Sequence, residues 1–365
     1  MNIPLLNMKR EWMSIRKDVV RAWEPILDSM RLLNGPNVKE FESEMASYLN
    51  VDHVVSVASG TDALTLGLIA VGVEEGKNVV VAANTFAAAM EAIRLAGAEP
   101  RVVDTNKLDY GFNLVDLACA IDGNTAAVIV THMYGYPASI SSLNAVLQGT
   151  NAVMVEDASH AHGATYRGQR VGIFGEVGCF SCGPVKNLGC YGDGGFVATG
   201  NPEVAERLRA LGVHGQQPKN NHNLYGFNSR LDELQAAVLR VKLKNLDIRN
   251  AKRVEIAGQY DEAFKPLRLK PIPTHDERTC AYHQYVIRTD RRDELASFLK
   301  KTKVGTGIHY PVPLNKQPSF LNEYSGPSCP IAESYAKQIL SIPVFPDMTE
   351  SEVSYVIDVI KSFFE

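Results

Sequence analysis

The 365-residue sequence has no strong charge of either sign: its formal net charge is −4, with 21% charged residues. That balance excludes the basic footprint of a nucleic-acid-binding protein and the acidic excess of a disordered chain. Cysteine is scarce, with six in the whole chain, too few for a disulfide framework at this length. Cys179, Cys182 and Cys190 lack a second ligand pair at zinc-site spacing, so they are expected to be buried small hydrophobes with no metal bound. No apolar run is long enough for a secretion signal near Met1–Arg10 or for a membrane span further on. A cytoplasmic protein without membrane contact is therefore expected. Internal repeats and low-complexity segments are missing too. What is left is small-molecule chemistry, in a chain whose 45% hydrophobic content can fill a large core.

Seven short apolar or β-branched runs read as strands: Val54–Val57, Asn78–Ala82, Arg101–Val103, Ala126–Thr131, Ala152–Val155, Gly178–Ser181 and Gly195–Thr199. Segments with helical spacing, such as Thr61–Ala70 and Phe86–Ala96, lie between the first of them. The alternation predicts an α/β fold with a mostly parallel sheet covered on both faces. Ahead of the sheet, Ile15–Leu32 and Val38–Tyr48 read as entry helices separated by the Asn34-Gly35-Pro36 break. From Leu231 past Leu246 toward Phe264 the pattern predicts one long helix bridging two lobes, followed by the turn-rich segment Pro271–Asp276. A strand at Tyr285–Arg288 and helices at Arg292–Thr302 and Glu350–Phe364 suit a smaller α+β lobe. The expected division is a large domain over residues 1–245 and a small C-terminal domain over 246–365.

Two side chains stand out for chemistry. Asp157 follows the fifth run, at the carboxyl edge of a parallel sheet, where open α/β sheets bind ligands. Twenty-nine residues on, Lys186 lies between Ser181 and the glycine-rich Gly192-Asp193-Gly194-Gly195. Singly, Asp157 reads as a cap or turn residue and Lys186 as a surface charge. Together, with glycines that let backbone approach a ligand, they read as a site. His53, His132, His222 and His275 read as structural or surface groups.

The run Glu156-Asp157-Ala158-Ser159-His160-Ala161-His162-Gly163-Ala164, then Lys186-Asn187-Leu188-Gly189 and Gly192-Asp193-Gly194-Gly195, resembles the DegT family of sugar aminotransferases. The likeness continues through Ser59-Gly60-Thr61-Asp62-Ala63-Leu64, Asn84-Thr85-Phe86, Gly226-Phe227-Asn228-Ser229-Arg230-Leu231 and His309-Tyr310-Pro311-Val312-Pro313, nearly the whole chain in order. The resemblance implies a fold type I enzyme dependent on pyridoxal 5'-phosphate (PLP), with a mostly parallel seven-stranded sheet in the large domain.

It also implies roles. Lys186 would form a Schiff base with the cofactor aldehyde and shuttle a proton, and an ionised Asp157 would keep the pyridine nitrogen protonated. Gly60 and Thr61, at a helix N-terminus, would hold the phosphate with Ser181, and Asn228 would reach it from the neighbouring subunit of a homodimer. Phe86 would stack on the ring. His160 would stand beside the cofactor hydroxyl or the substrate, and a histidine there would also titrate near neutrality. His309 and Tyr310 would face the sugar, and Lys316, close to them in sequence, would meet a phosphate.

The implied reaction transfers an amino group, with L-glutamate as donor, to a keto group of a dTDP-, UDP- or GDP-linked deoxysugar. Rival readings are a keto-inositol (cyclitol) aminotransferase and a non-catalytic PLP-binding regulatory protein. A sugar dehydratase is disfavoured, because dehydratases resembling this family carry histidine at the lysine position. Cys182, Gly183 and Val185 around the lysine, and Asn7 and Glu11 near the N-terminus, depart from the common pattern and leave the substrate open.

Overall fold

Valine and isoleucine runs covered on both faces build the central sheet. The computed structural model describes residues 1–218, 220–267, 269, 277–324 and 326–365. Seven strands, β1 (His53–Val57), β2 (Asn78–Ala82), β3 (Glu99–Val103), β4 (Thr125–Thr131), β5 (Val153–Asp157), β6 (Val177–Ser181) and β7 (Gly195–Thr199), lie in the order β1-β7-β6-β5-β4-β2-β3. Neighbours from β3 to β6 are parallel, and β7 runs antiparallel to both β6 and β1. Side chains alternate between two apolar layers: Val128 and Val130 join Phe41, Met45 and Leu239 on one face, and Ile129 joins Leu66, Ile93 and Val197 on the other. β3 starts two residues earlier than its apolar run, at Glu99-Pro100, because an edge strand tolerates a proline.

The single long helix expected beyond Leu231 is two helices, Glu233–Leu243 and Leu246–Phe264. Asn245 leaves helical geometry (φ −117°, ψ 7°), consistent with the preference of asparagine for helix ends over interiors. The break separates two packing tasks. Ala236 and Leu239 of the first helix join the core of the large sheet, whereas Tyr260 and Phe264 of the second join a separate core.

That second core belongs to the smaller lobe, where β8 (Tyr285–Arg288) pairs antiparallel with β9 (Ile339–Ile342) and helices Arg292–Lys301 and Glu350–Phe364 supply Leu295, Leu299, Val356 and Ile360. Ile3 is fully buried in the same core and bridges Val304, so the start of the chain packs against its far end. In the other direction, Leu314, Phe320 and Ala332 return to the large core. The Asp104 carboxylate accepts the N–H groups of Ile331 and Ala332 (2.9 Å each), capping helix Pro330–Gln338. These crossings fix the cleft between the lobes.

All six cysteines are free; five are buried and Cys119 is exposed. Among the described residues no helix is long and apolar enough to cross a membrane. The expected turn at Pro271–Asp276, with His275, lies outside the described residues.

Candidate active site

β5 carries two adjacent carboxylates that point to opposite faces of the sheet. Glu156 turns inward and is fully buried. It accepts the N–H groups of Gly172 (2.8 Å), Phe174 (2.6 Å) and Gly175 (2.7 Å), and lies 2.9 Å from His132 Nε2. His132 Nδ1 accepts the Ala138 N–H, so Nε2 bears the hydrogen and donates to Glu156. His132 is thus a structural histidine, as expected. Asp157, by alternation, faces the cleft, with one oxygen taking the Ser159 N–H (3.1 Å) and the other side of the carboxyl open to a cavity.

This cavity, of about 200 Å³, brings together eight of the residues singled out from sequence: Gly60, Thr61, Phe86, Asp157, His160, Ser181, Lys186 and Tyr310. Thr85, Thr131, Ser159 and Asp193 also line it. Nothing in residue type or spacing marks those four without the fold, although Thr85, Ser159 and Asp193 lie inside the motifs. Asn228 does not line the cavity; it sits in a backbone bridge with Val213. Lys316 stands apart, its Nζ 3.4 Å from Glu333. His309 lines a neighbouring cavity, with Nδ1 2.7 Å from the Ser341 hydroxyl.

One end of the cavity is the N-terminus of helix Gly60–Ala70, whose first N–H groups have no carbonyl four residues back to bond. Ser59 caps the helix through the Asp62 N–H (3.0 Å). Ser229 ties Asp62 (2.6 Å) to the Ala58 N–H (3.0 Å) and so fixes the loop. A Cβ on Gly60 would lie 2.4 Å from Ser181 Cβ, so only glycine brings the serine hydroxyl alongside that helix end. Free N–H groups, a hydroxyl and the positive end of a helix dipole make an anion cup.

Lys186 enters the same cavity from the loop after β6. The loop is stapled by Asn187, whose amide donates to Asn250 (2.9 Å) and to the Ala281 carbonyl (2.8 Å), and by the tight approach of Gly189 to the Gly183 and Pro184 carbonyls. Burial lowers the Lys186 amine to about 8, against the opposing pull of Asp157 and Cys182. At pH 7 roughly one amine in ten is then neutral, against fewer than one in a thousand for an ordinary lysine. The protein stripped of cofactor should therefore capture an aldehyde at a rate that rises with pH and is half-maximal near 8. Stopped-flow absorbance at several pH values checks this, and a midpoint at 10 or above would contradict it.

The third wall is aromatic. Tyr310, held at φ 66°, stacks against His160 (6.1 Å, 12°) and lies 5.8 Å from the Phe86 ring; its hydroxyl is 3.1 Å from His160 Nε2. His160 in turn packs on His283 (4.5 Å). Burial, and after it Lys186, hold His160 well below the usual histidine range. The expected titration near neutrality is thereby corrected: an imidazole this enclosed stays neutral across physiological pH.

PLP fits these residues. An anion cup, an amine primed to meet an aldehyde and a carboxylate open to the cavity occupy one space, and His160 Nδ1 is buried there with no partner among the described residues.

A model of the DegT/DnrJ/EryC1/StrS aminotransferase family matches residues 13–361. A dTDP-3-amino-3,4,6-trideoxy-alpha-D-glucose transaminase of Streptomyces venezuelae is 40% identical over 365 residues, covering 100% of this chain and 96% of the relative. Among solved structures, S. venezuelae DesV in complex with a ketimine intermediate superposes with a TM-score of 0.96 at 40% identity, covering 100% of this chain and 99% of that one. NtdA from Bacillus subtilis with bound cofactor PMP gives a TM-score of 0.92 at 25% identity, covering 100% and 85%.

Proposed function

The chain belongs to the DegT/DnrJ/EryC1/StrS aminotransferase family, whose members are PLP-dependent sugar aminotransferases, and from that premise we propose that it moves the amino group of L-glutamate to a keto group of a nucleotide-linked deoxysugar. One observation carries the reading: Lys186 and Asp157 line the same cavity as the anion cup at Gly60, Thr61 and Ser181. When bound, PLP supplies an aldehyde that accepts an amino group and a ring that withdraws electrons from carbon.

The residues divide the remaining work. Gly60, Thr61 and Ser181 would hold the phosphate, and the negative charge of Asp157 would keep the ring nitrogen protonated. Lys186 would bind the aldehyde, and its free Nζ would accept and return the proton of the donor α-carbon. A depressed amine suits that proton transfer, because it is neutral in a useful fraction of molecules near pH 7. Phe86 and Tyr310 would cover the ring, and His160, 3.1 Å from the Tyr310 hydroxyl, would hold that hydroxyl for the incoming sugar. His309, beside the cavity, and Lys316 contact the sugar nucleotide. The site is completed in a homodimer, where Asn228 of a second copy meets the phosphate.

Addition of L-glutamate to the PLP-loaded protein should bleach its visible absorbance, and a nucleotide-linked keto sugar should restore it. Restoration by a keto-inositol instead would move the assignment to a cyclitol. A protein that never takes up PLP would defeat the proposal.

A further inference from the structure

Three segments remote in sequence meet around the Lys186 amine: the loop that carries it, the loop after β5 that carries His160, and the stretch of residues 280–284 that enters the smaller lobe. The last is clamped onto the turn after β4, where the Ala281 N–H donates to the Gly135 carbonyl (2.9 Å) and the Gln284 N–H to the Tyr134 carbonyl (3.3 Å). Gly135 sits at φ 95°, and a Cβ there would lie 2.9 Å from both the His160 carbonyl oxygen and the His283 backbone nitrogen, so the backbones touch with no room for a side chain between them. His283 is thereby set against His160, with ring centroids 4.5 Å apart. Its side chain has no part in the work described so far.

Hydrogen-bond direction assigns the ring. The Ala281 carbonyl can only accept, so the Asn187 atom facing it at 2.8 Å is the amide nitrogen. That nitrogen's second hydrogen goes to Asn250 Oδ1 (2.9 Å), and Asn250 in turn donates to the His162 carbonyl (2.7 Å). Asn187 Oδ1 is left to accept, and its partner is His283 Nδ1 at 3.2 Å, which therefore bears a hydrogen. Burial, and after it His160 and Lys186, hold the imidazole well below the usual histidine range, so the ring is neutral and Nε2 keeps its lone pair. The donors run one way, from His283 through Asn187 and Asn250 to the backbone at His162, and tie all three segments to helix Leu246–Phe264. Asn187 is buried and directly follows Lys186, so a change in its side-chain orientation passes into the placement of the amine, where an error of about 1 Å costs a reaction about 10²-fold.

We propose that His283 is a positioning residue for Lys186: its Nδ1–H fixes the Asn187 carboxamide, and the carboxamide fixes the backbone from which the amine reaches the cavity. His283 itself touches no reacting atom. The proposal rests on the transaminase reading above for the use of the amine, but the placement of the amine can be read on protein stripped of cofactor, whether or not a sugar is ever aminated.

Two substitutions isolate the donor, since both remove the ring and both leave an amide. In His283→Asn the side-chain nitrogen stands where Nδ1 stands. In His283→Gln the amide reaches the Nε2 position and leaves Asn187 Oδ1 without its donor. Capture of PLP by the stripped protein, followed by stopped-flow absorbance at fixed pH and well below every Tm, should stay within about threefold of wild type in His283→Asn and slow by about 10-fold or more in His283→Gln. Loss of ring packing alone would slow the two alike, and equal rates in the two variants would overturn the proposal. Long-range proton–nitrogen NMR correlation on wild-type protein with labelled histidine needs no variant: the His283 hydrogen should be found on Nδ1, and a ring bearing it on Nε2 alone would also overturn the proposal. A wild-type protein that captures PLP but is bleached by no amino acid would instead remove the transaminase reading and leave the placement by His283 standing.

Discussion

Lys186→Ala is expected to reduce turnover by roughly 10⁴-fold or more, because one amine both holds the cofactor and moves the proton. The visible absorbance of the loaded protein should vanish with it. The fold should survive, since the loop is held by Asn187 and the buried Leu188 rather than by the lysine amine, which makes no hydrogen bond or ion pair among the described residues. Steady-state assay, absorbance and Tm on one preparation decide the matter. A variant with a tenth of wild-type activity would contradict the role given to the amine.

Asp157→Ala is the second large effect. Removing a charge aimed at a reacting ring in an enclosed site costs about 10²- to 10³-fold in rate by analogy with other preorganised electrostatic groups. Stability should hardly move, since the carboxylate holds only the Ser159 N–H, a bond worth about 1 kcal/mol. Glu156→Ala, one residue away, should behave in the opposite way. It would strand three N–H groups and His132 in the core and cost several kcal/mol. If the two variants exchanged phenotypes, the assignment of the two carboxylates would be reversed.

Much of this arrangement is legible in the residues. Seven β-branched runs give seven strands, because strands covered on both faces need continuous apolar sequence. Asp157 and Lys186 follow from their places at strand ends together with the glycines around them. What escapes a linear reading depends on distance along the chain. The break at Lys244-Asn245 is hidden because the amphipathic pattern resumes at once, and only the two separate cores show why the helix stops. Ile3 reads as an unremarkable terminal residue until Val304, three hundred positions away, pairs with it.

Titration is equally hidden. His160 has an ordinary pKa by residue type; enclosure by Tyr310, His283 and Lys186, residues remote in sequence, keeps it neutral. Arg253 lies in the run Arg249-Asn250-Ala251-Lys252-Arg253, which reads as a solvated helix face. Only the fold reveals that Lys252 is exposed and Arg253 is buried against two backbone carbonyls. The environment of both residues is a matter of burial, which composition does not record.

The attachment point can be read directly. Borohydride treatment of the PLP-loaded protein, followed by proteolysis and mass spectrometry, should find the reduced cofactor on the peptide containing Lys186 and on no other lysine. Modification elsewhere in the chain, or none at all on protein that demonstrably holds PLP, would contradict the account.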